Sequence, residues 1–330
     1  MKILKYIGIL CLLFVTHSVI GQQKPMYSQY MFNTFLINPA AAGSEGFTSV
    51  NFTGRSQWLG LANSPQTQCI SAQTRVLKNS FIAKALSLRK KYSKRSKSGR
   101  VGLGTYFYND TYGAIRRTGG QVTYAYHIPL RQSQLSFGLS AEAFQYKLDK
   151  AMAQNTDNLR NDYYINNNSF NKFVFDGNFG AQFTTPLMYA GLSISDLFNS
   201  ALNLGSSSNA SNRLDRNYNI MGGYKFEVNR FVLIEPSTLL KVTERGVFQM
   251  DLTARAYYRE DYWGGLSYRT GAGAGSIIIL AGVRVNKYYF GYAFDYTLSD
   301  ISTNTLGSHE FMLSLKFGEN ARRYRWLNRY

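Results

Sequence analysis

The stretch Phe248-Gln249-Met250-Asp251-Leu252-Thr253-Ala254-Arg255-Ala256-Tyr257-Tyr258 decides the fold. Phe248, Met250, Leu252, Ala254, Ala256 and Tyr258 fall on one face, and Gln249, Asp251, Thr253 and Arg255 fall on the other. A repeat of two residues is the period of a strand, not of a helix. The alternation returns in Leu135, Phe137, Leu139, Ala141 and Ala143 against Ser136, Gly138, Ser140 and Glu142. It returns again in Phe290, Tyr292, Phe294 and Tyr296 against Gly291, Ala293 and Asp295, and in Phe311, Leu313, Leu315 and Phe317 against Met312, Ser314 and Lys316. Each run is about nine to eleven residues, the length a tilted strand needs to cross a bilayer.

Fourteen such runs follow one another: 46–56, 66–76, 100–108, 120–128, 134–146, 172–184, 187–195, 218–227, 229–242, 248–258, 261–269, 276–285, 288–298 and 308–318. An even count, alternating faces and aromatic residues at run ends (Tyr106, Tyr108, Tyr257, Tyr258, Tyr262, Trp263, Tyr288, Tyr289) predict an all-β fold. Its form is an antiparallel transmembrane β-barrel of the outer membrane. Soluble sandwiches and propellers also alternate, but sandwiches seldom sustain strands this long, and the blade-length repeat of a propeller is missing. No stretch after Gln22 has the apolar length of a transmembrane helix.

Connection lengths test the barrel independently. With the N-terminus starting inside, the outward connections are 57–65, 109–119, 147–171, 196–217, 243–247, 270–275 and 299–307. The inward ones are 77–99, 129–133, 185–186, 228, 259–260 and 286–287, all short except the first, as outer-membrane barrels require. Both termini are therefore expected on the periplasmic side.

The chain has 330 residues and a net charge of +18, with 25 Tyr, 22 Phe and 17% charged residues. That aromatic content excludes disorder, and the charged fraction is low for a nucleic-acid binder. Lys2 and Lys5 before the apolar run Ile7–Val15 read as a signal peptide over residues 1–21, cleaved near Gly21–Gln22. It removes two of the positive charges and Cys11, leaving Cys69 without a disulfide partner. Much of the remaining basicity clusters in 77–99, including Arg89, Lys90, Lys91, Lys94 and Arg95, and in the tail 319–330, with Arg322, Arg323 and Arg325. Both segments are expected at the periplasmic rim, facing an acidic partner or anionic lipid headgroups rather than nucleic acid.

Catalytic and cofactor patterns are not found, and the chain is read as non-enzymatic, without cofactor or metal. His127 and His309 sit in strands, no HxxxH or CxxC occurs, and Gly271, Gly273 and Gly275 lack the helix and lysine of a phosphate loop. The polar signal is instead a set of charges on the small or polar strand faces: Arg55, Arg75, Glu142, Asp176, Asp251, Arg255, Arg269, Arg284, Asp295, Glu310 and Lys316. Opposite charges facing one another inside a barrel close its interior by hydrogen-bonded ion pairs.

Between the signal peptide and the barrel (46–318) lies 22–45, which is neither alternating nor amphipathic, and Asn38-Pro39 disfavours a helix there. It cannot face lipid without unsatisfied backbone groups, so it is expected in the lumen or at the periplasmic mouth. It would form a plug or strap through Tyr27, Gln29, Tyr30, Phe32, Asn33, Asn38 and Pro39.

The stretch from Tyr27-Ser28-Gln29-Tyr30-Met31-Phe32-Asn33 to Asn38-Pro39-Ala40-Ala41-Ala42-Gly43 closely resembles the N-terminal signature of the PorP/SprF family of Bacteroidetes outer-membrane proteins. Further likenesses are Arg55-Ser56-Gln57-Trp58, Asp176–Gly180, Pro236-Ser237 with Leu240-Lys241, Trp263–Arg269, Gly291–Tyr296 and Ser308–Phe311. The basic 77–99 segment and the Arg-rich tail are not placed by the pattern. The resemblance implies a role in type IX secretion or gliding motility. The partners it implies are secreted proteins with type IX C-terminal domains and periplasmic or outer-membrane secretion components. Apart from the resemblance, outer-membrane lipid or lipopolysaccharide is a further expected partner. A small-solute porin or transporter is the rival reading.

Overall fold

The computed structural model describes residues 25–76, 100–130, 133–148, 171–199, 214–259, 261–271 and 275–317. Its strands are β1 (Thr48–Ser56), β2 (Gln66–Val76), β3 (Val101–Tyr112), β4 (Ile115–Pro129), β5 (Gln134–Leu148), β6 (Asn171–Thr184), β7 (Met188–Ser195), β8 (Asn217–Tyr224), β9 (Phe226–Asn229), β10 (Val232–Thr243), β11 (Phe248–Tyr258), β12 (Tyr262–Gly271), β13 (Ser276–Val285), β14 (Tyr288–Thr297) and β15 (Ser308–Phe317). Each pairs antiparallel with its neighbours, β15 pairs β1, and the sheet closes on itself. β8 and β9 share one ladder on β10, interrupted at Lys225, so the wall has fourteen staves. Closure leaves no free edge, which is what a sheet needs in lipid.

Inside and outside follow from the alternation. On β11, Asp251, Thr253 and Arg255 are buried while Leu252 is 46% exposed; on β5, Ser136, Ser140 and Glu142 are buried while Leu139 is 59% exposed. The apolar face therefore points out and the polar face in, the inverse of a water-soluble core. One rim carries the short connections Thr185–Leu187, Arg230-Phe231 and Asn286-Lys287, and the start of β1 and end of β15. We call it the short-turn rim and its opposite the long-loop rim.

Three expected boundaries are corrected. The connection expected at 109–119 is strand except for Gly113-Ala114, because Gly119 and Gly120 stay in the ladder under the Phe144 and Phe107 side chains. A Cβ on either glycine would collide with those neighbours. The turn expected at 228 lies at Arg230-Phe231, where Asn229 Oδ1 accepts from the amides of Phe231 and Val232 (both 2.9 Å). The connection expected at 270–275 begins only after Gly271, whose φ of +91° ends β12. The signal peptide, the basic 77–99 segment and the tail lie outside the described residues, and with them Arg89, Lys90, Lys91, Lys94, Arg95, Arg322, Arg323 and Arg325.

Candidate functional site

Residues 25–45 pass through the interior of the barrel. Short 3-10 turns at Tyr30–Phe32, Thr34–Leu36 and Pro39–Ala41 fold the backbone onto itself. Asn38 caps the last turn, its Oδ1 accepting from the Ala40 amide at 2.9 Å, and Pro39 at the first position needs no donor there. Tyr30, Phe35, Asn38, Ala40 and Ala42 are almost wholly buried.

The path has a direction. The carbonyl of Tyr27 accepts from Arg269 (3.4 Å), two residues from the long-loop end of β12. Phe32 packs at a tilt on Trp263, with ring centroids 4.8 Å apart, and lies under the Arg255 guanidinium at 4.6 Å, both toward the short-turn ends of their strands. The Asn33 amide reaches Ser71 on β2 (2.8 Å), Asn38 Nδ2 reaches the Ala181 carbonyl on β6 (3.1 Å), and Ser193 of β7 donates to the Ile37 carbonyl (2.8 Å). The Ala42 carbonyl contacts His127 Nε2 on β4 (3.0 Å), and the Gly43 amide donates to Gln73 on β2 (3.0 Å). The segment thus begins in the long-loop half of the lumen and descends to the short-turn rim, where Glu45 pairs with Lys316 before β1 turns upward.

Its upper end is held by charge. The amides of Ser28 and Gln29 donate to the two oxygens of Glu310 at 2.7 and 2.8 Å. Ser28 Oγ donates to Asp295 (2.7 Å) and accepts from Arg55 (2.7 Å). Arg55 also pairs with Asp295 (2.8 Å) and Glu310 (3.3 Å), while Arg269 pairs with Asp251 (2.8 Å) and Asp295 (3.3 Å). Two guanidinium groups and three carboxylates are too expensive to bury alone; each here has charged and hydrogen-bonding partners. Arg55 and Glu310 face each other directly across the β1–β15 pairing, where the first and last staves meet.

Other expected lumen charges fall in different places. Glu142 pairs with Arg117 (3.0 Å), which lies in β4 and not in the connection expected at 109–119, and Arg255 pairs with Glu235 (2.6 Å) on β10. Arg75 donates to Gln134 (2.6 Å), and Asp176 accepts from the amides of Gly177 and Phe198. Arg284 and Lys316 sit at the short-turn rim, paired with Asp261 and Glu45. His127 faces the lumen; His309 lies on the outer-facing side, bonded to Tyr292 (2.7 Å).

Small wall residues make room for the descending backbone. A Cβ on Gly138 would collide with Pro39 and Ala40, one on Gly180 with the Asn38 side chain, and one on Gly102 with the Ala42 carbonyl. The space left between the segment and the wall near Tyr108, Arg117 and Asn219 is a cavity of about 70 Å³, room for a few waters. Among the described residues no His/Cys/Asp/Glu cluster of metal-binding kind occurs.

A closed, fourteen-stave antiparallel wall with an apolar exterior and a charged, occupied interior defines an outer-membrane β-barrel. The family model described as type IX secretion system membrane protein PorP/SprF matches residues 19–315, nearly the whole chain, and the chain belongs to that family. The fragments that carry the resemblance converge on the inner segment: Arg55, Gly180, Trp263, Arg269, Gly291, Asp295 and Glu310 all meet it. Among curated proteins no sequence matches. Solved structures similar to the chain include the toluene transporter TbuX of Ralstonia pickettii (9% identity, 86% of this chain and 93% of that one, TM-score 0.49). The CymD monoaromatic hydrocarbon channel is another (11%, 91% and 95%, TM-score 0.49), as is Omp33 of Acinetobacter baumannii (8%, 82% and 99%, TM-score 0.43).

Proposed function

We propose that the chain is a non-enzymatic, plugged barrel that serves type IX secretion as a docking partner. Secreted proteins carrying type IX C-terminal domains would dock or anchor at the long-loop rim, on the cell surface. The short-turn rim, with the basic 77–99 and 319–330 segments, would face the periplasmic machinery. The observation that supports this reading is the set of hydrogen bonds linking Glu310, Asp295 and Arg55 to Ser28 and Gln29, which hold the start of residues 25–45 inside the barrel. A plugged barrel is suited to holding a partner, not to passing solutes.

Gentle purification from membranes with mass spectrometry of the co-purifying proteins tests the docking, and planar-bilayer recording tests the plug. The expected result is a secreted protein or periplasmic component in the eluate and no steady conductance. Ohmic conductance with nothing co-purifying would instead make the chain a porin.

A further inference from the structure

We propose that the outer surface of β3–β6 at the long-loop rim binds the phosphate groups of an outer-leaflet glycolipid. Four residues form one row across that wall: Thr111 opposite Arg116, Arg116 opposite Lys147, and Lys147 opposite Asn171. Arg117, next along β4, is 5% exposed and turned inward, so alternation turns Arg116 outward; Arg116, Lys147 and Asn171 are exposed. The row therefore presents a hydroxyl, a guanidinium, an ammonium and an amide, all hydrogen-bond donors.

Two like charges directly opposite each other across an antiparallel pair destabilise it. The acids of these four strands, Asp110, Glu142 and Asp176, all lie on the inward face, bound to Thr67, Arg117 and the Gly177 amide. Other arginines at the same rim are matched, Arg216 with Glu244 (3.6 Å) and Arg245 with Asp215 (2.9 Å). Among the described residues Arg116 and Lys147 thus form a cationic pair with no acidic side chain set against it.

The rows beneath point to its complement. Two residues down, about 7 Å along the strands, lie Asn109, Thr118 and Gln145, with Thr118 donating to Asn109 at 2.7 Å, while on β6 the apolar band already begins with Phe173 opposite Gln145. Below them come Phe107 (60% exposed) and Phe175 (66%), then Val122 (66%). Cationic, amide-and-hydroxyl and apolar rows in that order match phosphate, sugar and acyl chain in a phosphorylated glycolipid. A free phosphate would leave the lower rows unused, and an acidic protein strand would not call for an apolar band. This inference shares with the proposed docking only the assignment of the long-loop rim to the outer leaflet, which protease accessibility on intact cells settles separately.

The test uses the full barrel in phosphatidylcholine nanodiscs doped with diphosphoryl lipid A, with retained lipid counted by native mass spectrometry. The double variant R116Q/K147Q should keep about tenfold less lipid A than wild type, the loss of two charge-assisted contacts. R116K/K147R should retain it, and the distant pair K225Q/K287Q should leave retention unchanged. Dephosphorylated lipid A should bind wild type as poorly as diphosphoryl lipid A binds the double variant, a comparison that needs no mutant to fold. Equal retention by R116Q/K147Q, or equal binding of the dephosphorylated lipid, would overturn the proposal. So would displacement of the lipid by inorganic phosphate alone, or capture of an acidic protein through Arg116 and Lys147 with lipid retention unaffected.

Discussion

Two charge clusters lie in the same lumen and do different work. Around the β1–β15 pairing, Arg55, Arg269, Asp251, Asp295 and Glu310 spend part of their hydrogen bonding on Ser28, Gln29 and the Tyr27 carbonyl. Across the lumen, Arg117 and Glu142 are served by Tyr108 (2.7 Å), Asn178 (3.2 Å) and the Phe144 ring beneath the guanidinium (3.8 Å), all wall residues. The first cluster is completed by the inner segment; in the second, Tyr108, Asn178 and Phe144 reach the ion pair from the staves themselves. A buried ion pair alone therefore says little about what a lumen holds, and its remaining hydrogen bonds say more.

Glu310→Ala should have the largest effect. It strips the Ser28 and Gln29 amides of their acceptor and leaves Arg55 half-paired, costing about 3–5 kcal/mol. Limited proteolysis should then cut between residues 22 and 45, and the gel midpoint of heat-modified migration should fall; an uncut segment would count against its being held by charge. Glu142→Gln should cost about 2–3 kcal/mol in the same gel assay while leaving the segment protected. Loss of protection there would erase the distinction between the clusters.

Gly138→Val separates packing from charge, since its side chain would collide with Pro39 and Ala40 while every ion pair stays intact. About 1–3 kcal/mol of strain is expected, with faster cleavage of the segment and the first appearance of bilayer conductance. Phe32→Leu should be smallest, about 0.5–1 kcal/mol from the lost stacking under Arg255. Only a slight shift in the gel midpoint should register.

Much of the wall was legible in the sequence because strand alternation is local. Asp251 and Arg255 reveal their face through their immediate neighbours, so β11 and β13 fall on the expected residues. Arg117 was lost because Gly119-Gly120 looks like a loop unless the Phe107 and Phe144 rings on the neighbouring strands are known, and register is not local. Glu235 stood beside Pro236, yet its partner Arg255 became visible only once β10 and β11 were aligned. Gly102, Gly138 and Gly180 stand on small or polar faces, where their spacing alone does not set them apart from other small lumen residues. What approached them could not be named from spacing. The segment is aperiodic, and its direction through the lumen depends on contacts more than 240 residues distant, such as Arg269 with Tyr27.

The joint between β1 and β15 carries a consequence for how the molecule is held together. The first turn of the inner segment grips Arg55 on one side of that joint and Glu310 and Asp295 on the other, and its lower half lies enclosed by β2, β4, β6 and β7. The carboxylates that hold Ser28 and Gln29 are the same ones that meet Arg55 across the joint, so filling the lumen and fastening the seam draw on one set of hydrogen bonds. The inner segment is thus a clasp on the wall as well as an obstruction within it.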